Sequence, residues 1–183
     1  MLKSFFLCVV IFLNSSDSFA ESKVDFINRI DGVYKYSWKI NFYEGPNANP
    51  EYTHPKLENV LEIIPYDKER VYFRIHMYFD NAHPCSLYGI ANVLENLELQ
   101  YVTGGLYDKC VFGIKFSNGK INFSDPGYNC QNISCGARGS YDGLSFFKMK
   151  QKRKIRYLPV ILESREYEEA VNEHKNKSES YGK

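Results

Sequence analysis

Val71-Tyr72-Phe73-Arg74-Ile75-His76-Met77-Tyr78-Phe79 alternates residue by residue. Val71, Phe73, Ile75, Met77 and Phe79 fall on one side, and Tyr72, Arg74, His76 and Tyr78 on the other. A period of two is the mark of a half-buried strand. The pattern spreads in both directions. Upstream, Tyr34, Tyr36, Trp38, Ile40 and Phe42 alternate with Lys35, Ser37, Lys39 and Asn41, and Val60 to Ile64 is a short apolar strand stopped by Pro65. Between them, residues 44–55 carry three prolines, a glycine and two asparagines, which is loop composition. Downstream, Cys85, Leu87, Gly89, Ala91 and Val93 share a face, as do Leu97, Leu99 and Tyr101, and then Cys110, Phe112, Ile114 and Phe116. Asn118-Gly119 joins the last of these to Ile121 and Phe123, and both residues tolerate the positive φ of a two-residue hairpin. Residues 125–141 read as a loop before a final strand over 144–147. The spacing therefore predicts about eight strands with no intervening helix long enough for a parallel crossover. The expected fold is mainly β, an antiparallel barrel or sandwich with short N- and C-terminal helices. The aromatic content of 16% fits a pleated surface.

The two ends of the chain read differently. Lys3, the apolar run Phe5–Leu13 and Ser18-Phe19-Ala20 have the order of a secretory signal peptide cut after Ala20. The run is far shorter than the ~20 residues a spanning helix needs, so no membrane span is expected after cleavage. Ser22 to Ile30 reads as a helix, with Ser22 as its cap and Phe26, Ile27 and Ile30 as its apolar side. After Met149 the composition turns basic, with Lys148, Lys150, Lys152, Arg153, Lys154 and Arg156. An acidic helix capped by Ser164 follows, through about His174. The expected organisation is a signal peptide over 1–20, a disulfide-stapled β-domain over 21–150, and a basic segment with a C-terminal helix over 151–183.

A net charge of +1 supplies no strong global field, which speaks against nucleic acid or an anionic membrane as partner. Cys8 leaves with the signal, so Cys85, Cys110, Cys130 and Cys135 remain. An even number in an exported chain implies two disulfides. Cys130 and Cys135, with Cys85 and Cys110 as further ligands, have the alternative reading of a zinc site. Three pairings are open, and Cys130–Cys135 with Cys85–Cys110 is the favoured one. The segment from Cys130 to Gly143 is the densest in chemistry. Arg138 and Asp142 within it are the binding candidates, either as an ion pair or with Arg138 presented to a partner. Gly136, Gly139 and Gly143 lack the strand, helix and lysine of a phosphate loop. His54, His76, His83 and His174 show no metal-ligand spacing, and no nucleophile elbow is present. No catalytic residue, metal ligand or cofactor is assigned.

Cys110-Val-Phe-Gly-Ile-Lys-Phe116, followed by Cys130 and by Cys135-Gly-Ala-Arg-Gly-Ser-Tyr-Asp-Gly143 before a last strand, resembles small uncharacterised periplasmic β-domain proteins of Gram-negative bacteria. More loosely, it resembles exported proteins of the lysozyme-inhibitor type. The resemblance spans about residues 32–148 and transfers no inhibitory residue. The export signal, the disulfide-stapled β-domain and the absence of a catalytic signature point to a periplasmic or secreted, non-enzymatic binding module with a protein or cell-envelope partner, an inhibitor of a cell-wall lytic enzyme being one form of it. A small-ligand carrier using the barrel interior, an envelope enzyme and an immunity protein are the alternatives.

Overall fold

The computed structural model describes residues 21–39, 56–79, 83–104, 109–136 and 139–181. The signal segment, Ile40, Phe42, the proline-rich stretch and Arg138 lie outside the described residues. α1 (Lys23–Ile30) leads into β1 (Gly32–Lys39), β2 (Lys56–Pro65), β3 (Arg70–Tyr78), β4 (Pro84–Val93), β5 (Leu99–Thr103), β6 (Cys110–Ser117) and β7 (Lys120–Ser124). Then come α2 (Asn129–Ser134), β8 (Phe147–Lys148), α3 (Leu158–Leu162) and α4 (Arg165–Tyr181). The strands form one sheet in the order β1 to β8, every neighbour antiparallel, curled into a nearly closed barrel. Of barrel and sandwich, the barrel is the architecture. Its seam is joined by Val33, which exchanges amide-to-carbonyl hydrogen bonds with Arg153 at 2.8 and 3.0 Å.

The alternation read from the sequence sorts side chains between two cores. Inside the barrel lie Tyr34, Leu61, Ile63, Phe73, Ile75, Met77, Leu99, Phe112, Phe123 and Phe147, nearly all of them without exposed surface. Phe112 stands at the centre, stacked on Phe73 at 5.9 Å and on Phe123 at 5.6 Å, with Tyr141 edge-on at 5.0 Å. α1 stops one end. Ser22 caps it through the Asp25 amide at 3.2 Å, and Phe26, Ile27 and Ile30 enter the interior, where Phe26 meets Phe116 edge-on. The outer face of β2 to β4 carries the second core. Ile64, Tyr72 and Ile90 are covered by Ile161, Tyr167 and Ala170 of α3 and α4. The C-terminal helix runs to Tyr181, past the expected end near His174, and Lys177 in that extension donates to the Val102 carbonyl.

The sheet has one weak ladder. β3 and β4 pair from Arg70–Asn92 to Tyr78–Pro84, but β4 and β5 pair only at Asn92–Gln100 and Val93–Leu99. Beyond those pairs the strands part. Gly89 faces the Tyr101 ring so closely that a Cβ there would overlap it.

α2 bridges this split, lying on β4 at one side and on β6, the strand beyond β5, at the other. Its cysteines fasten it there as Cys85–Cys135 and Cys110–Cys130. This corrects the favoured pairing of Cys130 with Cys135 and of Cys85 with Cys110. The physical reason is α2, a helix where the composition predicts loop. Five residues of helix separate two Cα atoms by about 7–8 Å, at or beyond the reach of a disulfide. Cys85 and Cys110 meanwhile stand on strands with β5 between them. The last strand also differs, running over Phe147–Lys148 rather than from residue 144.

Two stability measurements check this description. Gly89→Ala should lower unfolding free energy by about 1–3 kcal/mol, the usual cost of overpacking. A denaturant midpoint unchanged from the wild type would contradict the close approach. Reducing both disulfides should cost about 2–5 kcal/mol, and an equal melting temperature with and without reductant would show that they add nothing.

Candidate functional site

The segment with the densest sequence signals is also the most heavily anchored. Chain from Asp125 turns through Tyr128, in the left-handed region at φ 58°, into the six-residue α2. So short a helix is not stable alone; its first turn is held from outside. Asp125 is buried, and its carboxylate accepts from the Cys130 amide at 3.0 Å and the Gln131 amide at 2.8 Å. Charge-assisted bonds of this kind are the strong class. The Asp125 amide in turn donates to Asp142 at 3.1 Å, so Asp142 ties the two ends of the loop together. Asn129 Nδ2 donates to the Lys109 carbonyl at 3.0 Å, and the Ser134 hydroxyl donates to the Cys130 carbonyl at 2.5 Å. Between these anchors Tyr128 and Ile133 are each 53% exposed. Large apolar side chains held outward on a fixed backbone form a ready contact surface. Of the two binding candidates, Asp142 belongs to the scaffold of this segment, and Arg138 lies outside the described residues.

A second cluster, missed by sequence reading, sits on the outer face under the C-terminal segment. Glu62 of β2 opposes Arg74 of β3 in register. Arg74 donates to its carboxylate through Nε at 2.6 Å and a terminal nitrogen at 3.2 Å. The Tyr157 hydroxyl donates to the same carboxylate at 2.5 Å. Glu62 has a side-chain exposure of only 3%. The signal was present in Val60-Leu61-Glu62-Ile63-Ile64, where one acid interrupts an apolar strand. A cavity of about 300 Å³ opens beside the cluster, with His76, Ser86 and Glu166 also on its wall. The Glu62 hydrogen bond holds the Arg74 guanidinium above its ordinary pKa. Burial, followed by the Arg74 charge, pushes His76 below its ordinary value. Both Glu62 oxygens are engaged, so the carboxylate is not placed as a free base. The cluster acts as a lock between the barrel and the chain leading to α3.

α4 makes a third polar contact, over the split. The Tyr101 hydroxyl, from a ring inside the barrel, donates to Glu173 at 2.9 Å, and the Thr103 hydroxyl donates to the same carboxylate. Lys177 donates to Glu173 at 2.6 Å and to the Val102 carbonyl at 2.5 Å. Nearby, the Tyr88 hydroxyl donates to Glu169 at 2.5 Å, and that bond pushes its pKa up to about 12. The basic run turns elsewhere: Lys152 donates to the Arg29 carbonyl of α1 at 2.9 Å and pairs with Asp31 at 3.3 Å.

Among the described residues, no three His, Cys, Asp or Glu side chains are gathered as a metal site. No described helix is long and apolar enough to cross a membrane. No family model, curated protein or solved structure matches the chain.

Arg74→Ala should destabilise the protein by about 3–5 kcal/mol, because it leaves the Glu62 charge buried without its partner. Replacing both with apolar residues, Glu62→Leu with Arg74→Met, should recover most of that loss. Equal losses in the single and double variants, by chemical denaturation, would contradict the reading. His76 has the opposite role. Its folded pKa lies below 6.5, so its contribution is present above 6.5 and is lost as pH falls through the lowered value. His76→Gln should flatten the acid side of the stability–pH curve in that window, and an unaltered curve would rule the effect out.

Proposed function

We propose that this protein is an exported, non-enzymatic binding module of the periplasm that engages a protein partner through α2 and the residues beside it. A cell-wall lytic enzyme is the partner class to test first. The observation that carries the reading is the mounting of α2. Two disulfides, one to β4 and one to β6, together with the buried Asp125, hold Tyr128 and Ile133 out of the fold. A rigid, pre-ordered loop loses little conformational entropy on binding, and exposed aromatic side chains on such loops are common anchors.

Other features support the same reading. Residues 1–20 have the order of a cleaved export signal, and two disulfides suit an oxidising compartment. The interior between β3, β6 and β7 is occupied by stacked aromatic rings, which argues against a carrier that uses the barrel as a cup.

The experiment is affinity capture from periplasmic extract with the disulfide-intact protein, beside an inhibition assay against lysozyme and other wall-lytic enzymes. A lytic enzyme should be retained and slowed. Tyr128→Ala with Ile133→Ala should weaken that complex at least about tenfold, about 1.4 kcal/mol, while leaving the melting temperature near that of the wild type. The absence of any lytic-enzyme complex, or a complex indifferent to the double variant, would reject the proposal.

A further inference from the structure

The two ends of the barrel are finished differently. α1 fills one end with Phe26, Ile27 and Ile30. At the other end α2 covers the β4–β6 side, and aromatic rings line the β1–β3 side. There Tyr36, on the inner face two residues after the buried Tyr34, stacks on Phe146 at 5.6 Å, and Phe79 meets Phe146 edge-on at 6.4 Å. Tyr36 remains 36% exposed. Trp38 follows on the same face by strand alternation.

Two donors at this end have no acceptor. Asn59 has no exposed surface and shares its face with Leu61 and Ile63. Its Oδ1 accepts from the Tyr78 amide at 2.8 Å, which fixes the amide orientation, yet its Nδ2 has no partner. The Trp38 indole Nε1 is likewise buried and unpaired. In the β1–β2 register Tyr36 opposes Asn59 and Trp38 opposes Leu57. Trp38 and Asn59 are therefore diagonal neighbours on one face, within mutual reach of long side chains. A buried donor without an acceptor costs stability, so two of them side by side mark a place where acceptor oxygens belong.

We propose that this end of the barrel is a subsite for a neutral pyranose carrying an acetamido group. The unpaired groups on this inner face, Trp38 Nε1 and Asn59 Nδ2, are both N–H donors, and they select an obligate acceptor. A carbonyl oxygen meets that need, whereas a hydroxyl would require an acceptor for its own proton. The aromatic faces of Tyr36 and Trp38 suit the apolar C–H face of a sugar ring and the acetamido methyl. No charged side chain of the described strands shares this inner face, which fits a neutral ligand. The subsite uses none of the α2 residues, so it stands or falls separately from the protein-binding surface.

Trp38 is the single tryptophan of the chain, so its emission reports on the subsite alone. Titration of the oxidised protein with the N-acetylglucosamine trimer should give a saturable change in intensity or wavelength, and the glucose trimer should give a response at least tenfold weaker. Asn59→Asp keeps the acceptor for Tyr78 and removes the donor; Tyr36→Ala removes the exposed ring. Each should weaken binding at least tenfold. Should Asn59→Asp fail to fold, Tyr36→Ala, at an exposed position, carries the test. Emission unmoved by the N-acetylated trimer, or binding untouched in the folded variants, would overturn the subsite. An equal response to both trimers would overturn the acetamido assignment.

Discussion

The parting of β4 from β5 is the constraint on which the rest of the molecule depends. A closed barrel satisfies its backbone by pairing every strand with two neighbours, and here one ladder stops after Asn92–Gln100. The cause is local and steric. Tyr101 fills the space facing Gly89, with its ring against Phe73 at 5.3 Å, and its hydroxyl needs an acceptor that an apolar interior cannot supply. The opening lets that hydroxyl reach Glu173. The gap then has to be covered, and two otherwise unrelated parts of the chain do so. α4 lies over it from outside, with Lys177 bonded to the Val102 carbonyl, and α2 spans its lower end.

The disulfides take their meaning from the same gap. Hydrogen bonds between β4 and β5 would ordinarily set the distance between β4 and β6. With that ladder cut short, covalent bonds through α2 take over: Cys85 on the β4 lip to Cys135, and Cys110 on β6, which pairs with the β5 lip, to Cys130. A pairing of Cys130 with Cys135 would have closed a small loop and left the lips untied. The Glu62–Arg74–Tyr157 cluster does comparable work on the outer face. It holds the connection to α3 by satisfying a charge that cannot return to water without freeing the C-terminal segment. Such a lock adds little net stability compared with an apolar replacement. What it supplies is a unique seating for the segment that reaches α4.

Much of this fold was written in the sequence in a legible form. The period of two along Val71–Phe79 and its neighbours predicts both the strand count and which side chains enter the core, because strand alternation is a local property. Ser22 and Ser164 announce their helices by a local hydrogen bond, and Asn118-Gly119 announces its hairpin by backbone freedom, with φ of 52° and 72°. What stayed hidden is what depends on distant partners. α2 has neither the length nor the apolar stripe of a readable helix; it exists because Asp125, the disulfides and β4 hold it. The Glu62–Arg74 pair is separated by a turn and becomes evident only once register is known. The orphan donors at Trp38 and Asn59 are invisible to sequence, since whether a buried side chain meets a partner depends on what the neighbouring strands bring beside it.

The placement of these features gives the barrel a polarity. One end is sealed by an apolar helix, and polar groups there are spent on holding it, as with Lys152 on the α1 carbonyls. The opposite end receives the β1–β2, β3–β4 and β5–β6 connections, both disulfides, the exposed Tyr128 and Ile133, and the two unpaired donors. Buried N–H groups without acceptors carry a cost that apolar replacements of similar size would remove, and the proposed subsite gives the two beside the partly exposed rings a use. Rigid backbone, exposed aromatic surface and two unpaired buried N–H groups occur together at that end. Both proposed recognition surfaces therefore fall at the end away from α1, and the filled interior is the support that would keep their geometry fixed.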